Sequence, residues 1–362
     1  MNHASEQRRF ARTWCVAALI AVVLLSTLVT NTRANTFDSF RDAIEHINDL
    51  VITHRYREAE QVVLELERAN PDSPSVQLQK AVLYYTWIDD YGIADSLGVE
   101  FLTATERTVA LAEDVLAREP NNAYVRFYRG SALAYRALYR SYVDGIGIRT
   151  IPSLLRDATG GIKELERARE CNPSFNDPLI GIAQYRYWIS HSLPWPFASD
   201  KDAREGVRLI EQALADGVYW DAVAVQTLGW MYIRERRYRD AIELVAPMIE
   251  RYPEGRNFRE IAARAHLSLR DLDTAETMYR QILDDLSPAE RASNFMVMKY
   301  ERWLVRIDAK RGNNAAACER ARHLQSLDYT GVHRTWLREK TPLYEQLLRG
   351  ACKQTEHASD SE

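Results

Sequence analysis

The chain has 362 residues, 46% hydrophobic and 27% charged, with 19 Tyr, 8 Trp and a formal net charge of −4. Such a composition excludes global disorder, and the absence of a basic surplus argues against nonspecific nucleic-acid binding. Four cysteines are too few for a scaffold built on disulfides at this length.

Residues 1–34 differ in kind from the rest. Arg8, Arg9 and Arg12 precede an uncharged stretch from Cys15 to Val29, which closes on Thr32-Arg33-Ala34. A basic flank, an apolar run and a small-residue site predict a signal peptide cleaved after Ala34. The run falls short of the ~20 residues that span a bilayer as a helix, which favours removal over retention as an inner-membrane anchor. The expected location is therefore the periplasm or the medium, with an anchored form as the alternative. The segment carries four Arg and one Glu, so the remaining chain has a net charge of −7. Cys171, Cys318 and Cys352 remain, an odd number in a compartment that permits disulfides. Unpaired, partly buried thiols are the favoured reading, and a Cys318 to Cys352 bridge stays open.

Self-similarity organises the rest of the chain. Its clearest unit is Ala222 to Gly255, "AVAVQTLGWMYIRERRYRDAIELVAPMIERYPEG", two amphipathic runs joined by a short polar turn. Gly229 and Ala241 are small where two helices would approach closely, Tyr232 and Tyr238 are large beside them, and Pro253 stops the second helix. With Leu228, these six residues at their offsets resemble the signature of a tetratricopeptide repeat. The same frame fits Phe40 to Ser73 through Tyr56, Ala59 and Pro71, a second copy ending at Pro120, and a third ending at Pro173 with Gly130, Gly161 and Ala168 at small places. A fourth copy runs from Asn176 through Ala183, Gly206 and Ala213, a sixth carries Leu272, Ala275 and Tyr279, and a seventh covers about Glu290 to Leu327.

The resemblance implies an all-α fold, a right-handed α-α superhelix of about seven helical hairpins, over residues 35–350. A last helix, about His333 to Leu348, is expected to close the array, and residues 351–362 form a polar tail expected to fray. Units two, three and four carry about 15, 19 and 11 extra residues between their two helices, which predicts that the insertions emerge side by side as one lobe. "DGIG" at 144–147 and "LPWPF" at 193–197 read as turns within it.

In this family the first helices line a concave groove. Carrying the family's groove positions onto this sequence places Tyr124, Phe127 and Tyr135 there from unit three, and Gln184, Tyr187 and Trp188 from unit four. Unit five supplies Gln226, Trp230 and Arg234, and unit six Asn257, Glu260 and Arg264. Trp195 and Phe197, flanked by prolines, are expected at the rim. Rings beside amides and guanidinium groups suit a polypeptide, such as an envelope component, or alternatively a small molecule or glycan. Arg126, Arg129, Arg136 and Arg140 fall close to one helical face and are expected to pair with Asp89, Asp90, Asp95 and Glu100 of the neighbouring insertion. No Gly-x-Ser-x-Gly, His-Glu-x-x-His or phosphate-loop motif occurs, and histidines are dispersed, so neither an enzyme nor a metal or other cofactor is expected.

Overall fold

The computed structural model describes residues 40–145, 149–192, 200–292 and 294–329, together with Arg349 and Cys352. The expected signal segment, Trp195 and Phe197, the helix at His333 to Leu348 and the polar tail apart from Cys352, which is buried, lie outside the described residues. Contacts divide the chain after Ile47, and the unit from Asn48 onward holds the repeat array.

Fifteen helices and no strands occur among the described residues. In chain order they are α1 (Arg41–Ile52), α2 (Tyr56–Ala69), α3 (Pro74–Tyr91), α4 (Ala94–Arg118), α5 (Ala123–Val143), α6 (Ile151–Cys171), α7 (Pro178–Ser192) and α8 (Asp200–Asp216). They continue as α9 (Asp221–Arg234), α10 (Tyr238–Arg251), α11 (Arg256–Ser268), α12 (Leu272–Asp284), α13 (Pro288–Ala292), α14 (Phe295–Arg311) and α15 (Asn314–Ser326). After α1 and α2, six hairpins follow, α3/α4 through α11/α12 and then α14/α15, each packing on its neighbour in sequence order. With α1 and α2 before them, these six accord with the expected number of about seven units.

Local chemistry sets the ends of these helices. Pro74 occupies the first turn of α3, where its missing N–H costs nothing. The Asn122 side chain accepts a hydrogen bond from the Val125 N–H at 3.1 Å and so caps α5. A residue in the left-handed region stands two places before the second helix in five units: His54, Gly92, Arg236, Arg270 and Gly312, with φ from 61° upward. This shared turn reverses the chain while letting the first helix end on its own carbonyls.

Because Gly92 keeps that turn in unit two, its extra residues add no loop. α3 has 18 residues and α4 has 25, against 14 each in α9 and α10, so the insertion is helix on helix. α5 and α6 lengthen likewise, to 21 residues each. The extended ends pack together through Tyr84, Ile88, Ala94, Phe101 and Tyr139, with the Phe101 and Tyr139 rings 4.8 Å apart.

Small residues sit where the sequence pattern places them. A Cβ on Gly161 would lie 2.8 Å from the Gly130 carbonyl oxygen, and one on Gly130 would lie 2.9 Å from the Gly161 carbonyl oxygen. Gly161→Ala is therefore expected to destabilise the chain by about 1–3 kcal/mol in urea unfolding, because two backbones must part. Its neighbour Gly160, whose added Cβ would stand 3.5 Å from Leu133, is the control: Gly160→Ala should be neutral or slightly stabilising.

Two expectations are corrected. Cys318 and Cys352 form a disulfide, Cα atoms 4.9 Å apart, and only Cys171 is free among the described cysteines. Favouring unpaired thiols overlooked that α15 brings Cys318 into the same buried cluster as Cys352. The arginine stripe is paired internally, but not with the expected acids. Asp157 of α6, 1% exposed, accepts two hydrogen bonds from Arg136 at 2.9 Å and one from Arg140 at 2.7 Å. Glu164 takes Arg126 and Arg129, and Glu113 also takes Arg129. The second helix of the same hairpin lies nearer to these arginines than the neighbouring insertion does.

Candidate functional site

The first helices of units two to five turn one face toward an apolar pocket that is partly open to solvent. α3 contributes Leu78 and Val82, α5 contributes Phe127, Ser131, Ala134, Tyr135 and Leu138, and α7 contributes Ile180, Gly181 and Gln184. Val223 of α9 and Trp220 before it complete one wall, and Leu165 of α6 lies at the base. The spacing of four between Leu78 and Val82, Phe127 and Ser131, and Ile180 and Gln184 is that of one helical face. Few polar groups are left to a ligand. Asp177 accepts hydrogen bonds from the N–H groups of Tyr219 and Trp220, each at 3.0 Å, and the Gln184 amide donates to Thr227 Oγ1 at 2.8 Å. Trp220 Nε1 is a buried donor with no partner among the described residues. The pocket can therefore take an apolar group and offer it little polar recognition.

The predicted groove residues divide into three sets. Phe127, Tyr135 and Gln184 line the pocket, and burial pushes the Tyr135 phenol up to about 12. Trp188 is exposed and lies 5.6 Å beneath the Arg234 guanidinium, so these two form a patch at the surface. Tyr187 is instead a core residue, fully buried, donating to Glu235 Oε1 at 2.9 Å, and it presents nothing to a partner. Its place in the unit is one that the family turns toward the groove, but here that direction is filled by α9. Tyr124 is half-buried and packs on Phe175 with ring centres 4.8 Å apart. Gln226, Trp230 and Asn257 are half-buried without lining the pocket, and Glu260 is buried. Arg264 sits far from these on the face of Trp303. Leu78 and Val82 were missed, although the groove positions carried onto unit two would have found them.

A second cluster braces the array. An ordinary 14-residue first helix would end before Asp89, so the added turn of α3 is what carries Asp89, Asp90 and Tyr91. Asp90 is 4% exposed; it accepts hydrogen bonds from Lys299 at 3.3 Å, from His54 Nδ1 at 3.0 Å and from the Tyr56 hydroxyl. Lys299, His54 and Tyr56 outweigh the cost of its burial and hold its carboxyl far below the usual range. Arg256 pairs with Glu290 at 2.6 Å, and Tyr91 also donates to Glu290. Glu290 is held down at about 2: its burial works the other way, and Tyr91 and Arg256 prevail.

His54 accepts the Arg256 backbone N–H at Nε2, 3.2 Å away, while Nδ1 faces Asp90, which assigns the neutral ring with its proton on Nδ1. Burial lowers its pKa below 6.5, with Arg256 and Lys299 acting in the same sense and Asp90 opposing. A depressed folded-state pKa means that the unfolded chain binds more protons, so the contribution of His54 is complete above about 6.5 and is lost as pH falls through the folded value. Unfolding free energy should therefore drop between pH 7 and pH 5 more steeply for the natural chain than for His54→Gln. Parallel pH profiles would remove His54 as the cause.

Among the described residues no group of three or more His, Cys, Asp or Glu is placed to hold a metal ion, and no helix is long and apolar enough to cross a membrane.

Comparison with known proteins places these observations. A family model described as Tetratricopeptide repeat matches residues 227–291, which span most of units five and six. No curated protein matches the chain. Among solved structures, a tetratricopeptide repeat protein from Parabacteroides merdae is 12% identical, with 87% of this chain and 99% of that one covered and a TM-score of 0.39. The C-terminal part of a TPR repeat-containing protein from Cytophaga hutchinsonii is 15% identical, with coverage of 79% and 96% and a TM-score of 0.40. Human IFIT1, as a dimer with PPP-AAAA, is 14% identical, with coverage of 89% and 81% and a TM-score of 0.43. None of these likenesses bears on what this chain binds. The hairpin array with its small-residue crossings is a helical-repeat solenoid of tetratricopeptide-like fold, and residues 227–291 within it match the tetratricopeptide repeat itself.

Proposed function

We propose that this chain is an exported interaction scaffold that binds a polypeptide segment on the face formed by its first helices. The observation that carries this reading is the apolar pocket lined by Leu78, Val82, Phe127, Tyr135 and Ile180, whose polar neighbours Asp177 and Gln184 are already engaged by the protein itself. An apolar side chain of a bound segment suits such a wall, with main-chain groups left to Trp188 and Arg234 or to water. Tetratricopeptide-like folds serve as interaction scaffolds, which favours a protein partner. Export is supported by the apolar segment after Arg12 and by the Cys318–Cys352 disulfide, since such bonds persist in oxidising compartments. Mass spectrometry of the mature N-terminus tests it: a chain beginning at Asn35 supports export with cleavage, and a persisting Met1 supports the anchored form.

The binding reading is tested by placing a photo-crosslinking residue at Tyr135 in the natural host. Capture of a polypeptide that is abolished by Ser131→Phe, which fills the pocket, and kept by Val99→Phe on an exposed helix face, is the expected result. Equal capture by both variants would overturn it. The largely apolar lining also favours a second reading, a small apolar ligand, because such sites are concave and lined mostly by hydrophobic and aromatic side chains. A low-mass compound released on denaturation, with no crosslinked polypeptide, would select that reading.

A further inference from the structure

Buried side-chain donors without a partner are unevenly spread. Of the eleven such atoms among the described residues, eight lie on α11, α12 and α14: Nε of Arg256, Nε and Nη2 of Arg259, Nε and Nη1 of Arg264, the hydroxyls of Tyr279 and Tyr300, and Nε1 of Trp303. All eight can donate, so the group that would satisfy them is an acceptor. Arg256 and Arg259 are at least held by Glu290 and Asp285. Around Trp303 the arrangement differs.

The Arg264 guanidinium lies 3.6 Å from the centre of the Trp303 ring, Arg302 lies 4.7 Å and Arg306 5.1 Å from it. Arg302 Nε donates to the Lys299 carbonyl at 3.0 Å, which leaves its two terminal nitrogens without a protein partner among the described residues. Contacts with the ring stabilise each cation, yet no ion pair joins any of the three to a carboxylate among the described residues, and each is half-buried. Burial and the presence of Arg306 and Arg302 pull Arg264 below the ordinary guanidinium range, with Tyr279 and Glu260 opposing; burial and Arg302 do the same to Arg306. Glu260 is the carboxylate that acts on Arg264, while Lys299 is taken by Asp90. Among the described residues, three cations against one carboxylate leave a surplus of two positive charges.

We propose that Arg264, Arg302 and Arg306, gathered on Trp303, form a binding site for a doubly charged oxyanion of the phosphate monoester class. A carboxylate would neutralise only half of the surplus. A phosphate monoester carries about −1.5 to −2 charges near neutral pH and three acceptor oxygens, which matches the charge and offers one acceptor oxygen to each arginine. The planar forks of arginine suit such oxygens better than the point charge of lysine. The site lies apart from the apolar pocket, and the proposal does not depend on what that pocket holds.

Isothermal titration of the full chain with inorganic phosphate, and with acetate at matched ionic strength, tests it. Phosphate is expected to bind saturably and acetate weakly or not at all. Arg264→Gln and Arg306→Gln should each weaken phosphate binding about tenfold or more, and Arg107→Gln, on an exposed pair with Asp72, should leave it unchanged. Circular dichroism confirms that each variant is folded; should Arg264→Gln unfold, Arg306→Gln still decides the matter. Glycerol phosphate against a phosphoserine peptide then distinguishes a small-molecule source from a modified polypeptide. Phosphate binding no tighter than acetate, or equal in all three variants, would overturn the site and leave a cation–aromatic stack of purely structural use.

Discussion

Asp90→Ala is expected to lower the unfolding free energy by about 3–5 kcal/mol, the largest effect of any single substitution considered, because it leaves a buried lysine without its counter-charge. Asp90 joins α3 to His54, Tyr56 and Lys299, the last of them 209 residues away in sequence. Repeat arrays otherwise rely on contacts between neighbours, so this carboxylate ties together units that have no sequential contact. Urea denaturation measures the loss, and amide exchange locates it. The Arg256 N–H, which donates to His54, should exchange faster once Asp90 no longer orients that ring. A loss below about 1 kcal/mol, with unchanged exchange at Arg256, would show that the brace contributes nothing to holding the units together.

Reducing the Cys318–Cys352 bridge should cost about 3–4 kcal/mol on a chain-entropy argument for a loop of 34 residues. Both sulfurs lie in the cluster that holds Tyr279, Tyr300 and Leu304, so reduction also leaves two thiols in a packed core. Urea unfolding with and without reductant, on chains that have lost residues 1–34, measures the difference. Alkylation under denaturing conditions checks the bond itself: one reactive cysteine, Cys171, before reduction and three after it. Three reactive cysteines in protein purified without reductant would remove the bond and, with it, one support for export.

The lengthened helices of unit two change the meaning of the insertions. Extra residues between two helices suggest a lid over a groove. In unit two they are instead added turns, and the turn that carries Asp89, Asp90 and Tyr91 reaches α13 and α14. Tyr85 and Tyr135, just before the extended ends of α3 and α5, stand with ring centres 5.1 Å apart and pack on the cluster of those ends. Tightening or loosening the brace is therefore expected to be felt at the pocket through Tyr135.

Much of the binding face was legible because groove positions recur with the repeat. Phe127, Tyr135 and Gln184 follow from counting along each unit, and Leu78 and Val82 would follow from the same count. Tyr187 shows where counting fails. Position on a helix names a direction, but whether α9 already occupies that direction depends on how closely the next hairpin approaches. The cations of α14 carried a signal that was passed over: Lys299, Arg302 and Arg306 recur at intervals of three and four, the spacing of a single helical face.

From the order of residues alone come the helices, their pairing into hairpins and the crossings at Gly130, Gly161 and Gly206, because each depends on periodicity and side-chain size within a few dozen residues. Folding in three dimensions alone decided that Asp90 meets Lys299 rather than Arg136, that Cys318 meets Cys352, and that Arg264 meets Trp303. Ion pairs, disulfides and ring contacts form by distance in space, and the path of the whole array sets those distances.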